Sequence, residues 1–150
     1  MTTLKAGDKA PDFKAEDQDG NNITLNDYKG KKLVLFFYPK ASTPGCTAEA
    51  CNLSDNYEAM SAKGYDILGV SADSKKRQQN FRNKYDFKYP LLADEDKKVI
   101  QAYGVWGPKK FMGKEYEGIH RTTFIIDENG IIEEVIEKVK TKAHAEQIME

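Results

Sequence analysis

The chain has 150 residues, 39% apolar and 31% charged, a mixture suited to one soluble domain over residues 1–150 that buries about two-thirds of its unfolded surface. Its 23 basic and 24 acidic side chains leave a net charge of −1, with no basic footprint for nucleic acid and no long tail of one sign. No apolar run approaches the ~20 residues of a membrane span, and the first residues lack a signal-peptide core. Two cysteines without an export signal point to a reducing cytoplasm, where such a pair is catalytic or redox-sensing rather than a permanent staple.

In chain order, residues 1–30 are polar and punctuated. Asp19-Gly20-Asn21 between Phe13-Lys14-Ala15 and Ile23-Thr24-Leu25 predicts an N-terminal hairpin. Leu33-Val34-Leu35-Phe36-Phe37-Tyr38 is the most apolar run and reads as a fully buried strand. The pattern then turns helical: Cys46, Ala50, Leu53, Tyr57 and Met60 share one face of a helix running from Pro44 to near Gly64. Thr43 stands at the N-cap position and Pro44 at the first helical one. Tyr65-Asp66-Ile67-Leu68-Gly69-Val70-Ser71 is a second buried strand, followed by a polar helix over 74–85. A short strand over 89–93 and a short helix over 96–103 come next, the helix ended by Gly104. Residues 105–118 have no clear period and read as a loop near the site. Asp127-Glu128-Asn129-Gly130 joins the runs 122–126 and 131–135 in a hairpin, and 141–150 forms a last helix. This order predicts an α/β fold, a mixed central sheet flanked by helices on both faces.

Both cysteines lie in Pro39-Lys40-Ala41-Ser42-Thr43-Pro44-Gly45-Cys46-Thr47-Ala48-Glu49-Ala50-Cys51. Cys46 falls in the first helical turn, just after the buried strand. Unpaired backbone N–H groups and the positive end of the helix dipole favour an anion there, and the thiolate is the nucleophilic form of cysteine. Cys46 is therefore expected to be reactive rather than an inert core thiol. Five residues apart on an unbroken helix, the Cα atoms of Cys46 and Cys51 are about 8–9 Å apart, beyond the ~7 Å limit for a disulfide. A bond between them requires the first turns to unwind.

Pro39-x-x-x-Thr43-x-x-Cys46 resembles the peroxidatic-cysteine signature of the peroxiredoxins. The longer match, Phe37-Tyr38-Pro39-Lys40 through Thr43-Pro44-Gly45-Cys46-Thr47 to Cys51, resembles the bacterioferritin comigratory protein (Q-type) subfamily. Further blocks, Ala10-Pro11-Asp12-Phe13, Tyr103-Gly104-Val105-Trp106-Gly107 and Gly118-Ile119-His120-Arg121-Thr122-Thr123-Phe124, extend the similarity over nearly the whole chain. Ala41-Ser42 departs from the more polar residues often found there, outside the catalytic positions.

The resemblance implies a thioredoxin-like fold in its peroxiredoxin variant, with an N-terminal β-hairpin extension. It implies a thiol peroxidase of antioxidant function, acting on hydrogen peroxide or organic hydroperoxides. Cys46 would be the peroxidatic cysteine and Cys51 the resolving one, linked by an intramolecular disulfide that thioredoxin or a similar dithiol reductant restores. Thr43 would position the peroxide, Pro39 shield the sulfur and Arg121 hold thiolate and peroxide. Gly45 and Cys46 would offer backbone N–H groups, and Glu49 would orient Arg121. Taken alone, Glu49 also reads as an exposed carboxylate suited to a helix start. Trp106 reads as a packed loop residue that lines the pocket. No organic cofactor or metal is needed, and His120 and His144 lack metal-ligand spacing. An internal resolving cysteine suggests a monomer. The alternatives are a thioredoxin-like disulfide reductase, whose cysteines would normally stand as C-x-x-C, and a non-catalytic redox-sensing module.

Overall fold

A computed structural model describes residues 2–150. The chain opens with a short antiparallel hairpin, β1 (Lys14–Glu16) and β2 (Asn22–Thr24), followed by a 3-10 turn at Leu25–Tyr28. Asp17 closes the hairpin, its carboxylate accepting from the backbone N–H groups of Asp19 and Asn21. The central elements are β3 (Lys32–Phe37), α1 (Pro44–Asp55), α2 (Tyr57–Ala62), β4 (Tyr65–Ser71), α3 (Lys75–Tyr85), β5 (Leu91–Ala93) and α4 (Lys98–Ala102). A second hairpin, β6 (Trp106–Phe111) and β7 (Lys114–Ile119), precedes β8 (Thr122–Ile126), β9 (Ile132–Ile136) and α5 (His144–Met149).

Five strands form one mixed sheet in the order β5-β4-β3-β8-β9. β3, β4 and β5 are parallel, and β8 and β9 antiparallel to their neighbours. β3 is central and buried on both faces, as its unbroken apolar run predicts. Alternation sorts its side chains. Leu33, Leu35 and Phe37 join Leu68, Phe124 and Tyr103 on one face, whereas Val34, Phe36 and Tyr38 join Ile67, Phe81 and Ile125 on the other. The second face receives α1 and α2 through Cys46, Ala50, Leu53 and Met60, α3 through Phe81, and α5 through Ala145 and Ile148. The first receives α4 and the segment that precedes β1.

Two predicted elements differ. Residues 44–64 form two helices rather than one: Asn56, at φ −100° and ψ 9°, leaves helical geometry, and its side-chain amide donates to the Asn52 carbonyl. Residues 105–118 are not a loop. They form the β6–β7 hairpin, in which Trp106 pairs with Ile119 and Phe111 with Lys114. Its turn, Met112-Gly113, has positive φ at both residues (51° and 81°), the geometry that matches the twist of two-residue hairpins.

The register of β3 with β8 sets the site. Phe37 pairs with Thr122, so Arg121 stands at the carboxyl end of β3, where the chain leaves the sheet and turns into α1.

Candidate active site

α1 starts without a side-chain cap. Thr43 is extended, but its hydroxyl turns back to donate to the Lys40 carbonyl at 2.8 Å. Its own carbonyl accepts the first helical bond, from Thr47 N–H, also at 2.8 Å. The early N–H groups of the helix therefore have no side-chain partner and converge at the turn that carries Cys46.

Cys46 is buried, at 1% exposure, and both cysteines are free thiols. Arg121 Nη2 donates to Cys46 Sγ at 3.4 Å, and Arg121 Nη1 donates to Glu49 Oε1 at 2.6 Å. One fork of donors thus spans two side chains a helical turn apart on α1. A Cβ at position 45 would lie 3.2 Å from Arg121 Nη2, which explains why glycine stands there: a side chain would press on the guanidinium. Burial works against the charge of the Arg121 guanidinium, but the neighbouring Glu49 and Cys46 side chains together hold it above its usual range.

Glu49 is fully buried, not exposed as its place in a first turn suggests. Burial pushes its carboxyl up to about 7, although Arg121 pulls the other way. Its second oxygen, Oε2, has no hydrogen bond and lies 3.6 Å from Nε2 of His144, which is also fully buried. His144 Nε2 stands 2.7 Å from Thr123 Oγ1, and Nδ1 2.9 Å from Gln147 Oε1. Burial pushes the imidazole below its usual value, and Arg121 adds to that.

Cys51 lies further along α1, half-buried, and its thiol is pushed up by burial and by Asp55. Residues 46 and 51 share the continuous helix Pro44–Asp55, so α-helical geometry keeps their Cα atoms about 8–9 Å apart. A groove of about 390 Å³ is bounded by Pro39, Trp106, Lys109, Tyr116 and Ile119. Trp106 packs on the sheet face opposite to α1, with Lys97 Nζ 5.0 Å from the centroid of its ring. Lys109 donates to the Ile119 carbonyl at 2.9 Å; burial and then Arg121 lower its ammonium, while Cys46 favours its charge. Among the described residues, no three His, Cys, Asp or Glu side chains converge as a metal-ligand set.

A profile of the AhpC/TSA family matches residues 6–135. The chain is 46% identical to peroxiredoxin Bcp of Escherichia coli K12 over 149 residues, covering 99% of this chain and 96% of that protein. The chain belongs to the AhpC/TSA family. It is a peroxiredoxin, an enzyme whose own thiols carry out the reduction of peroxides. Solved structures agree. A cysteine-to-serine variant of PrxQ from Xylella fastidiosa superposes with a TM-score of 0.93 at 31% identity, covering 99% of this chain and 95% of that one. The bacterioferritin comigratory protein of Xanthomonas campestris, described for its alkyl peroxide reduction activity, gives 0.86 at 33% identity over 99% and 95% of the two chains.

Within this peroxiredoxin, the structure joins Cys46, Glu49 and Arg121 in direct contact, with Gly45 leaving the space beside the guanidinium open. Pro39 and Trp106 share a groove that Cys46, Thr43 and Arg121 do not line, and Cys51 stands apart from Cys46 by more than a helical turn. The sequence reading weighed His144 only as a metal ligand, quoted Thr123 only within a family block, and passed over Gln147. Its one local signal is that His144, Ala145 and Ile148 fall on the inward face of a six-residue helix.

Proposed function

We propose that Cys46 is the peroxidatic cysteine and Cys51 the resolving one. The Cys46 thiolate attacks the terminal oxygen of a peroxide. The O–O bond breaks, sulfur is oxidised to a sulfenic acid, and the leaving oxygen departs as water or an alcohol once it takes a proton. The Cys51 thiol then attacks that sulfur, forming the Cys46–Cys51 disulfide and releasing water. A dithiol reductant of the thioredoxin type restores both thiols by exchange and carries the disulfide away.

The observation that carries this reading is the contact of Arg121 Nη2 with the buried Cys46 sulfur at the uncapped start of α1. A guanidinium and converging N–H groups favour the thiolate and the charge that develops on the peroxide oxygens. Thr43, its hydroxyl proton committed to Lys40, retains lone pairs that can accept from a peroxide O–H. Backbone N–H groups of Gly45 and Cys46 are available to polarise the peroxide. Glu49 fixes Arg121, and the raised thiol of Cys51 suits a group that waits protonated until the sulfenic acid is made. Pro39 shields the sulfur, and Trp106, which lines the same groove as Pro39, borders the peroxide's approach. With the resolving thiol in the same chain, the catalytic cycle is complete in a monomer, and its two free thiols suit the reducing cytoplasm; among the described residues no helix is long and apolar enough to cross a membrane.

The test is a thiol count and intact mass on reduced protein within seconds of adding one equivalent of hydrogen peroxide. Loss of both thiols with a two-hydrogen mass decrease is expected, and Cys51→Ser should stop at a trappable sulfenic acid. Equal first-turnover rates in Cys46→Ser and the parent protein would overturn the assignment.

A further inference from the structure

Among the described residues, Glu49 Oε2 is the only buried side-chain nitrogen or oxygen without a hydrogen bond. A buried polar atom left this way is costly, so its surroundings indicate what it is built to meet. The nearest candidate is His144 Nε2, at 3.6 Å. Which protons that imidazole carries follows from its other neighbours. Gln147 Nε2 donates to the Lys138 carbonyl at 2.9 Å, and Gln147 Oε1 accepts from Lys140 N–H at 3.0 Å, which fixes the orientation of the amide. The same Oε1 faces His144 Nδ1 at 2.9 Å, so Nδ1 must donate. In the neutral ring Nε2 is then bare, a lone pair aimed at the Thr123 hydroxyl and at Glu49 Oε2.

Charge counting gives the same answer. Arg121 touches both Glu49 and Cys46, so an ionised Glu49 beside a Cys46 thiolate would leave two anions sharing one guanidinium in the interior. One proton on the Glu49–His144 pair makes the whole cluster neutral.

We propose that Glu49 Oε2 and His144 Nε2 hold one proton between them, and that His144 is a positioning residue which, through Glu49, leaves the full charge of Arg121 to the Cys46 sulfur. In this state Glu49 is a carboxylic acid. Its carbonyl oxygen accepts from Arg121 Nη1, and its hydroxyl faces His144 Nε2 across 3.6 Å, a bond that closes when the Thr123 hydroxyl, now 2.7 Å from the same lone pair, turns away. Glu49 thereby orients the guanidinium without neutralising it. The inference rests on the reading of Arg121 as the partner of the Cys46 thiolate. The raised Glu49 carboxyl and the lowered His144 imidazole both place the proton on the Glu49 side near neutrality. The titratable groups around Glu49 are Cys46 on its own helix, Arg121 ahead of β8, His144 on α5, and Tyr89 ahead of β5, whose hydroxyl is committed to the Ala50 carbonyl. Lys109 on β6 acts on Arg121 and Cys46.

The test combines the pH profile of Cys46 oxidation with nitrogen NMR of the His144 ring in the reduced wild-type enzyme. As pH rises through the pair's titration, Glu49 ionises, Arg121 is neutralised, and the rate constant should fall about tenfold towards pH ~9. Over that same range the Nε2 resonance should shift while Nδ1 keeps its proton. Glu49→Gln cannot lose a proton and should abolish the fall, whatever its absolute rate. His144→Gln supplies an amide donor that favours the carboxylate, and should move the fall down by about one pH unit. A static Nε2 resonance, or a Glu49→Gln profile with the wild-type fall, would overturn the pair. An Arg121→Ala enzyme as fast as wild type would instead overturn the role of Arg121, while the Nε2 titration would still report the shared proton by itself.

Discussion

The two faces of the central sheet bury similar sets of side chains for different ends. On the face that receives α4, Phe13, Phe37, Phe124 and Tyr103 form an aromatic cluster with ring centroids 5.0–6.3 Å apart, and Leu35, Leu68 and Ile126 complete it. On the face that receives α1, α3 and α5, the apolar side chains enclose polar ones: Cys46, Glu49 and His144, with Gln78 bound to the Tyr38 hydroxyl, Ser71 and the Leu92 carbonyl. The first face stabilises by area and shape. The second holds groups that favour no particular geometry unless each is satisfied, so its helices must be placed by hydrogen bonds as well as by packing. The difference teaches that the proposed chemistry sits on the polar face, while the apolar face packs the sheet whose register sets Arg121 against α1.

Substitutions on the two faces should separate these roles. Cys46→Ser, on the polar face, should abolish peroxide reduction with little change in melting temperature; residual turnover with a thioredoxin system would break the contrast. Phe124→Ala, on the apolar face, should cost about 3–5 kcal/mol in denaturant unfolding while the folded fraction keeps the wild-type rate of Cys46 oxidation. A parallel loss of rate would show that the faces are not separable. Arg121→Ala should slow Cys46 oxidation about 100-fold in stopped-flow measurements. The smallest effect concerns Glu49. Its carboxyl titrates near 4.5 when unfolded and about 7 when folded, so between those values the folded state binds more protons and stability falls as pH rises. His144, lowered on folding, works in the opposite direction. Comparing wild type with Glu49→Gln isolates the carboxyl: wild type should lose on the order of 2 kcal/mol relative to the variant between about pH 4.5 and about pH 7.

Much of this was legible in the sequence, for physical reasons that differ by element. β3 and β4 announce themselves because strands buried on both faces are continuous apolar runs. The turn at Asp127-Glu128-Asn129-Gly130 is marked by its residues, and β8 and β9 flank it, with a bulge near Ile126. The β6–β7 hairpin is hidden because most of its side chains on both faces meet water, which erases the alternation that marks a half-buried ribbon. The break at Asn56 depends on one side-chain bond to Asn52, which periodicity does not register. In the site, Cys46 and Arg121 are carried by motif, but His144 reaches Glu49 from 95 residues away on a short helix. Only the tertiary packing of α5 on α1 brings them together.

The fastening of α1 is uneven along its length. Its later part is tied to the rest of the molecule by groups indifferent to oxidation. Tyr89 holds the Ala50 carbonyl at 2.7 Å, and the Asn52 side chain accepts from Ala145 N–H at 2.7 Å and donates to the Lys142 carbonyl at 3.2 Å. Its opening turns are tied through Cys46 and Glu49, the residues that meet Arg121. In the proposed chemistry, oxidising Cys46 removes one of the two tethers of the front half, leaving only the Glu49 contact there, while the back half stays sewn down with Cys51 at the seam. In the proposed cycle the damage a peroxide does to the sulfur is also the signal that frees it. The sulfur is delivered to a waiting thiol whose own stretch of helix has not moved, and a reductant meets a surface that the peroxide never saw.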